Sequence, residues 1–324
     1  MGTFTRLDDA QLAQLANAFG LGEVHTHRTI AAGTINSNYE IDTARGRFFV
    51  RVNEGKSEQD VAWEARLVAA LADKGVVTPA PLVALDGRPY APLAGAIHKW
   101  VSTFAWREGR HLAAREVTPQ LAETFGAALA QLHVAGLALP EVWRRGSIYD
   151  HAHLVGRFDR FAREGDPALA RAISILREEL AEAARHAHVR HRATHGMIHG
   201  DLFRDNVLWA GESISAILDF EQASGGSLAY DLAVCINDWC WTDHPRLDVA
   251  TALVAGYQRV RPLTDADRAA LPVEIRAAAA RFTITRITDV YLARVANPEK
   301  DFRAFLARCE AWRGPSLGQL TSSL

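Results

Sequence analysis

The feature that most constrains this chain is one short break in an otherwise helical pattern. From Thr118 onward apolar residues recur at helical spacing. Pro119 sits at a first-turn position, and Leu121, Phe125, Ala128, Leu129 and Leu132 line one face up to Gly136. Asp166 and Pro167 start a second such stripe, through Leu169, Ile173, Leu176, Leu180 and Ala183. From about Met197 to Phe220 the period changes. There His199-Gly200-Asp201-Leu202-Phe203-Arg204-Asp205-Asn206 precedes Val207-Leu208-Trp209, a turn at Ala210-Gly211-Glu212, Ile214 to Leu218, and Asp219-Phe220-Glu221. Two short apolar strands joined by a tight glycine turn predict an antiparallel hairpin, which returns Asn206 and Asp219 to the same end. Further helices are expected after Ser227.

An amide oxygen and a carboxylate brought together beside a second carboxylate, Asp201, make an all-oxygen donor set suited to Mg²⁺. Such a set points to a polyphosphate. Phosphoryl transfer needs a metal to offset charge on phosphate oxygens, and a separate carboxylate to orient an acceptor hydroxyl and take its proton. Asp219 suits the first role and Asp201 the second. His195 and His199, four apart, could pair on a helix as zinc ligands, but Gly196 and Gly200 interrupt helix. His199 reads instead as a brace for its loop, His133 as a satisfied core histidine, and Asp231 as a structural brace.

The N-terminal third has a different texture. Asp8 can cap a helix carrying Leu12, Leu15, Ala16 and Phe19. Strand-like sequence follows at Asn38 to Ile41 and Arg47 to Val52, around a turn at Ala44, Arg45 and Gly46. Ser57 and Asp60 begin a helix along Val61, Ala65, Val68 and Ala72, and Leu82 to Leu85 and Ala96 to Val101 complete a small sheet. Residues 1–101 therefore form one expected lobe and residues 102–324 a mainly helical second lobe. Glu64 lies close to a buried stripe and should seek a cation, for which Arg51 is in place.

Bulk properties narrow the partners. The 36 basic and 38 acidic side chains leave a formal charge of −2, so no net field draws nucleic acid or an anionic membrane. The stretch Met1 to Ala10 lacks a basic flank and an apolar core, and no run reaches the roughly 18 apolar residues of a membrane span. A cytoplasmic protein acting on a small molecule, as monomer or homodimer, is expected. The three cysteines read as reduced packing residues.

The order His-x-Asp, Asn after four further residues, and Asp-Phe after a hairpin resembles the catalytic and metal loops of the protein-kinase-like superfamily. His199-Gly200-Asp201 resembles its aminoglycoside phosphotransferase and choline kinase group. Within that group, HGDLFRDNVLW and LAYDLAVCINDWCW are similar to bacterial homoserine kinases. The resemblance implies an α+β, bilobal protein-kinase-like fold with ATP between the lobes. It implies Asp201 as base, Asn206 and Asp219 as Mg²⁺ ligands, and Arg51, oriented by Glu64, on the α/β-phosphates. It also implies O-phosphorylation of homoserine, a step of threonine biosynthesis.

Two departures stand out: arginine replaces the usual lysine at Arg51, and the phosphate-covering loop, Gly33 to Tyr39, has one glycine. Gly33, Asn36 and Ser37 would meet phosphate. Ala96 to Ser102, with Lys99 and Val101, would border adenine. The fork of Arg204 matches either the γ-phosphate or a substrate carboxylate, and Asp205, Glu221 and Asp238 are candidate acceptor contacts. Other acceptors, namely an amino alcohol, a sugar, an aminoglycoside or a protein serine, remain open. So does a non-catalytic ATP-binding module.

Overall fold

The computed structural model describes residues 5–30, 36–96, 98–295 and 297–322. Its contacts divide the chain into two units. The first comprises Met1–Gly109, Leu208–Ala210 and Ser215–Glu221; the second comprises Arg110–Val207, Gly211–Ile214 and Gln222–Leu324.

In the first unit Asp8 caps α1 (Asp9–Ala18) with a reciprocal capping box to Gln11. The sheet follows: β1 (Val24–Thr29), β2 (Ser37–Thr43) and β3 (Gly46–Asn53), then α2 (Glu58–Asp73) under an Ser57 cap, β4 (Ala91–Pro92) and β5 (Trp100–Ala105). The strands are antiparallel in the order β1-β2-β3-β5-β4, with Arg51 opposite Asn38 on one side and Ser102 on the other. Alternate residues Tyr39, Ile41, Val50, Val52 and Val101 point into a core shared with Leu12, Leu15 and Phe19 of α1.

Two strand expectations need correction. Leu82 to Leu85 is no strand. It makes isolated bonds, Leu82 N–H to Thr103 at 2.7 Å and Ala84 N–H to Arg88 at 2.7 Å, because no neighbour continues a ladder there. The last strand begins at Trp100 rather than Ala96 and runs on to Ala105.

The second unit is mostly helical. It contains α3 (Pro119–Leu137), α4 (His151–Glu164), α5 (Ala170–Arg185) and α6 (Ala187–Arg192), then β6 (His195–Ile198). The hairpin strands β7 (Val207–Ala210) and β8 (Ser213–Ile217), most of whose residues belong to the first unit, pair with each other, as expected, around Gly211 at φ +62. After them β9 (Ser224–Ser227) pairs with β6, and α7 (Leu228–Trp239), α8 (Leu247–Val260) and α9 (Asp265–Arg286) follow. A π-helical turn, Ile287–Tyr291, ends α9 before α10 (Phe302–Ala311) and α11 (Pro315–Ser322).

Helices α3 and α8 touch backbone to backbone. A Cβ on Gly126 would stand 2.0 Å from the Leu253 carbonyl oxygen, and one on Gly256 would stand 2.0 Å from that of Glu123. Phe125 stacks on Trp239 at 3.8 Å beside this crossing. Among the described residues no helix is long and apolar enough to cross a membrane.

Candidate active site

In the first unit, β3 carries Arg51 into a buried ionic cluster. Its Nη2 donates to Glu64 of α2 at 2.7 Å, the pairing expected from sequence. Its Nη1 lies 3.5 Å from Glu221 and 3.9 Å from Asp219. Lys56, in the turn after β3, reaches the other oxygen of Glu64 at 3.0 Å and Glu221 at 2.9 Å. Asn36 donates to Glu221 and accepts the Glu54 N–H at 3.1 Å.

Two cations thus face three carboxylates. Burial acts to raise the Glu64 carboxyl, but Arg51 and Lys56 outweigh it and hold the group well below the usual range. Asp219 goes the other way. Crowding by protein and repulsion from Glu221 raise it well above the usual range, against the pull of Arg51. Its side chain keeps 47% of its exposure, so water tempers the shift. Its backbone is also unusual, at φ +62, a left-handed conformation that a non-glycine residue adopts at a cost of about 1–3 kcal/mol. The surplus negative charge therefore sits on a strained, solvent-facing oxygen donor.

The other nucleotide-loop residues fall into a second network. Ser37 is fully buried; its hydroxyl donates to Glu54 at 2.8 Å and accepts the Thr5 N–H at 2.9 Å. Lys99 bonds Glu54 at 2.9 Å and the Thr5 hydroxyl. Val101 is wholly buried between Val52 and Ala91. Gly33 lies outside the described residues.

In the second unit, the loop between β6 and β7 is pinned from below. Asp231 of α7, with no exposure, accepts the N–H of His199 at 2.8 Å and of Gly200 at 2.7 Å, and meets His133 Nε2 at 3.0 Å. His133 in turn meets the Tyr257 hydroxyl at 2.7 Å, so it is the satisfied core histidine expected. Gly200 stands at φ +79 with the Gln222 carbonyl 3.1 Å from where a Cβ would be, which leaves room for glycine alone. The Leu202 carbonyl accepts Trp239 Nε1 at 3.1 Å. Asn206 donates its Nδ2 to the Asp201 carbonyl at 2.7 Å, which fixes the amide and presents Oδ1 as its acceptor.

Asp201 itself points outward from this rigid loop, one-third exposed, with one oxygen 3.4 Å from Arg281 Nη1. Arg204 is held by Asp238, backbone N–H at 2.8 Å and Nε at 3.0 Å. Asp205 reaches solvent, yet its carboxyl is crowded by protein and repelled by Asp238 and Asp201, which raises it.

Glu221, a candidate acceptor contact by sequence together with Asp205 and Asp238, meets Asn36, Lys56 and Arg51. Sequence reasoning missed Lys56 and Arg281. Lys56 follows a glycine in a turn and reads as solvated, so nothing local marks it. Arg281 carried a signal: it interrupts the run Ala277 to Ala280 just before Phe282, on a face that must be buried.

A sheet unit with one ion-paired helix, and a helical unit with a braced Asp loop, define a protein-kinase-like α+β fold. The amicoumacin kinase hAmiN, solved with AMP-PNP, Ca²⁺ and Ami, superimposes with a TM-score of 0.69 at 14% identity, covering 97% of this chain and 94% of that one. Residues 26–263 match the phosphotransferase enzyme family, and the chain belongs to it. It is an ATP-dependent phosphotransferase acting on a hydroxyl. A homoserine kinase of Gluconacetobacter diazotrophicus is 35% identical over 295 residues, 89% of either chain. Another, of Methylobacterium radiotolerans, is 34% identical over 293 residues, 89% of this chain and 88% of that one.

Proposed function

We propose that this protein phosphorylates L-homoserine at its hydroxyl, using Mg·ATP and giving O-phosphohomoserine, a step of threonine biosynthesis in the cytoplasm. The observation that carries the acceptor is the likeness to homoserine kinases over nearly nine-tenths of both chains.

Asp201 accepts the hydroxyl proton. Its loop is pinned through Asp231 and Trp239, so the carboxylate stays oriented, one-third exposed and met only loosely by Arg281. Asn206, through Oδ1, and Asp219, through its carboxylate, would be the Mg²⁺ ligands. The donor chemistry suits a hard cation, and the surplus negative charge around Asp219 is what such a cation would relieve. Bound there, the metal supplies charge neutralisation on the phosphates. Arg51, held in place by Glu64, would meet the α/β-phosphates, with Lys56 as a second cation of the same cluster.

Asn36 orients Glu221, whereas Ser37, Lys99 and Val101 shape the nucleotide side through backbone, since their side chains are used internally. Gly33 would cover the phosphates. Asp238 is neutralised by Arg204, which makes Asp205 the carboxylate for the acceptor's ammonium group.

The test is consumption of Mg·ATP by the purified protein with homoserine, choline, methylthioribose or kanamycin as separate acceptors. Turnover confined to homoserine is expected; preference for another of the four would replace the acceptor and leave the reaction class in place.

A further inference from the structure

Of the buried arginines among the described residues of the second unit, one is poorly satisfied. Arg261 donates to Asp267 at 2.9 Å and to the Tyr257 hydroxyl at 3.2 Å. Arg308 donates to the carbonyls of Asn237 at 2.6 Å and Ala304 at 2.5 Å. Arg281, only 3% exposed, has Asp201 at 3.4 Å, and its Nε has no hydrogen-bond partner. A carboxylate–guanidinium bond usually measures 2.7–2.9 Å, so this contact is loose and open to exchange. A buried, half-satisfied cation costs stability, and hydrophobic side chains would pack the same place more cheaply.

The surroundings hold the guanidinium in one orientation. Tyr149 lies 4.0 Å from its carbon and the Phe282 ring 3.7 Å away. Aromatic faces stabilise the charge and fix its plane while leaving the edge, where the N–H groups point, for an anion.

We infer that Arg281 is the group that binds the acceptor's carboxylate, and so selects a hydroxy acid over a neutral or cationic alcohol. This rests on the homoserine reading above. An acceptor whose hydroxyl meets Asp201 brings its carboxylate within reach of Arg281 Nη1 and Nε, and the loose Asp201 contact gives way to a charge-assisted pair. Asp205 and Arg204 lie on the same loop as Asp201, with Asp238 on α7 paired to Arg204, so the site holds charges of both signs, as an amino acid requires.

The test compares homoserine with homoserinol, in which CH₂OH replaces the carboxylate, by kcat/KM. Wild type should favour homoserine by about 10³-fold or more, since a site built for a polar group rejects an analogue lacking it. In Arg281→Met that ratio should fall to within about tenfold of unity, with an intermediate value in Arg281→Lys. The ratio isolates recognition, because any disturbance of Asp201 lowers both acceptors alike.

An undiminished ratio in Arg281→Met would overturn the inference and make Arg281 a positioning residue for Asp201. Should Arg281→Met not fold, the wild-type ratio and Arg281→Lys still decide: equal use of the two acceptors, or an unchanged ratio in the lysine variant, would overturn it. Absence of homoserine turnover in wild type, with turnover of another acceptor, would instead remove the reading on which it rests.

Discussion

Arg51, held by Glu64 and facing Glu221 and Asp219, illustrates how one residue's setting decides its use. A guanidinium distributes its charge over a plane, and Lys56 adds a point charge to the same carboxylates. The Arg51–Glu64 pair could be foreseen because Glu64 lies near an apolar stripe and a buried carboxylate needs a cation. Lys56 could not, since only the folded turn aims it inward. Asp201 stands differently, on a rigid loop with its carboxylate outward. Asp201→Asn should therefore lower turnover by about 10²–10⁴ while the nucleotide dissociation constant stays within a fewfold, measured by steady-state assay and by calorimetry. Unchanged turnover would remove Asp201 from the mechanism.

Between elements, two contacts hold the second unit in shape. Helices α3 and α8 meet through Gly126 and Gly256, so Gly126→Ala should destabilise by about 2–4 kcal/mol, read from urea midpoints, because a methyl group there strikes a carbonyl that cannot move alone. The other contact is Asp231 beneath the His199–Gly200 loop. Burial would raise its carboxyl, but the bonds from His133 and the loop N–H groups outweigh that and lower it. A carboxyl lowered by folding stabilises the protein fully above its unfolded value near 4, and the contribution is lost as pH falls through the folded value. Urea unfolding from pH 6 to pH 3 should thus show a fall in stability that flattens in Asp231→Asn; an identical slope would deny Asp231 this role.

Strand β1, missed by sequence, has an all-round polar composition, VHTHRT, and five of its six residues are exposed. As an edge strand it buries no face, so it leaves no period-two pattern to read. The apolar run Leu82 to Leu85 misleads for the opposite reason, since hydrophobicity without a partner ladder makes no strand.

For the molecule as a whole, the proposed reading makes Mg·ATP a ligand of the native state alone. At a hundred times its dissociation constant it should add about 2.7 kcal/mol, seen as a rise of a few degrees in Tm, and Asp219→Ala should remove most of that rise. Equal shifts in both proteins would take Asp219 out of metal binding.

What the sequence determined by itself was what neighbours along the chain can dictate. Helical stripes, the cap at Asp8, Pro119 in the first turn of its helix, the hairpin around Gly211 and the ordered spacing of Asp201, Asn206 and Asp219 depend on residues a few positions apart. Tertiary structure alone decided which distant charges meet. Glu221 joins Lys56 and Arg51, Arg204 pairs with Asp238, and Arg281, eighty residues downstream, stands beside Asp201. The physical reason is that a charge's partner is set by burial and distance in the folded chain, and local patterns carry no record of either.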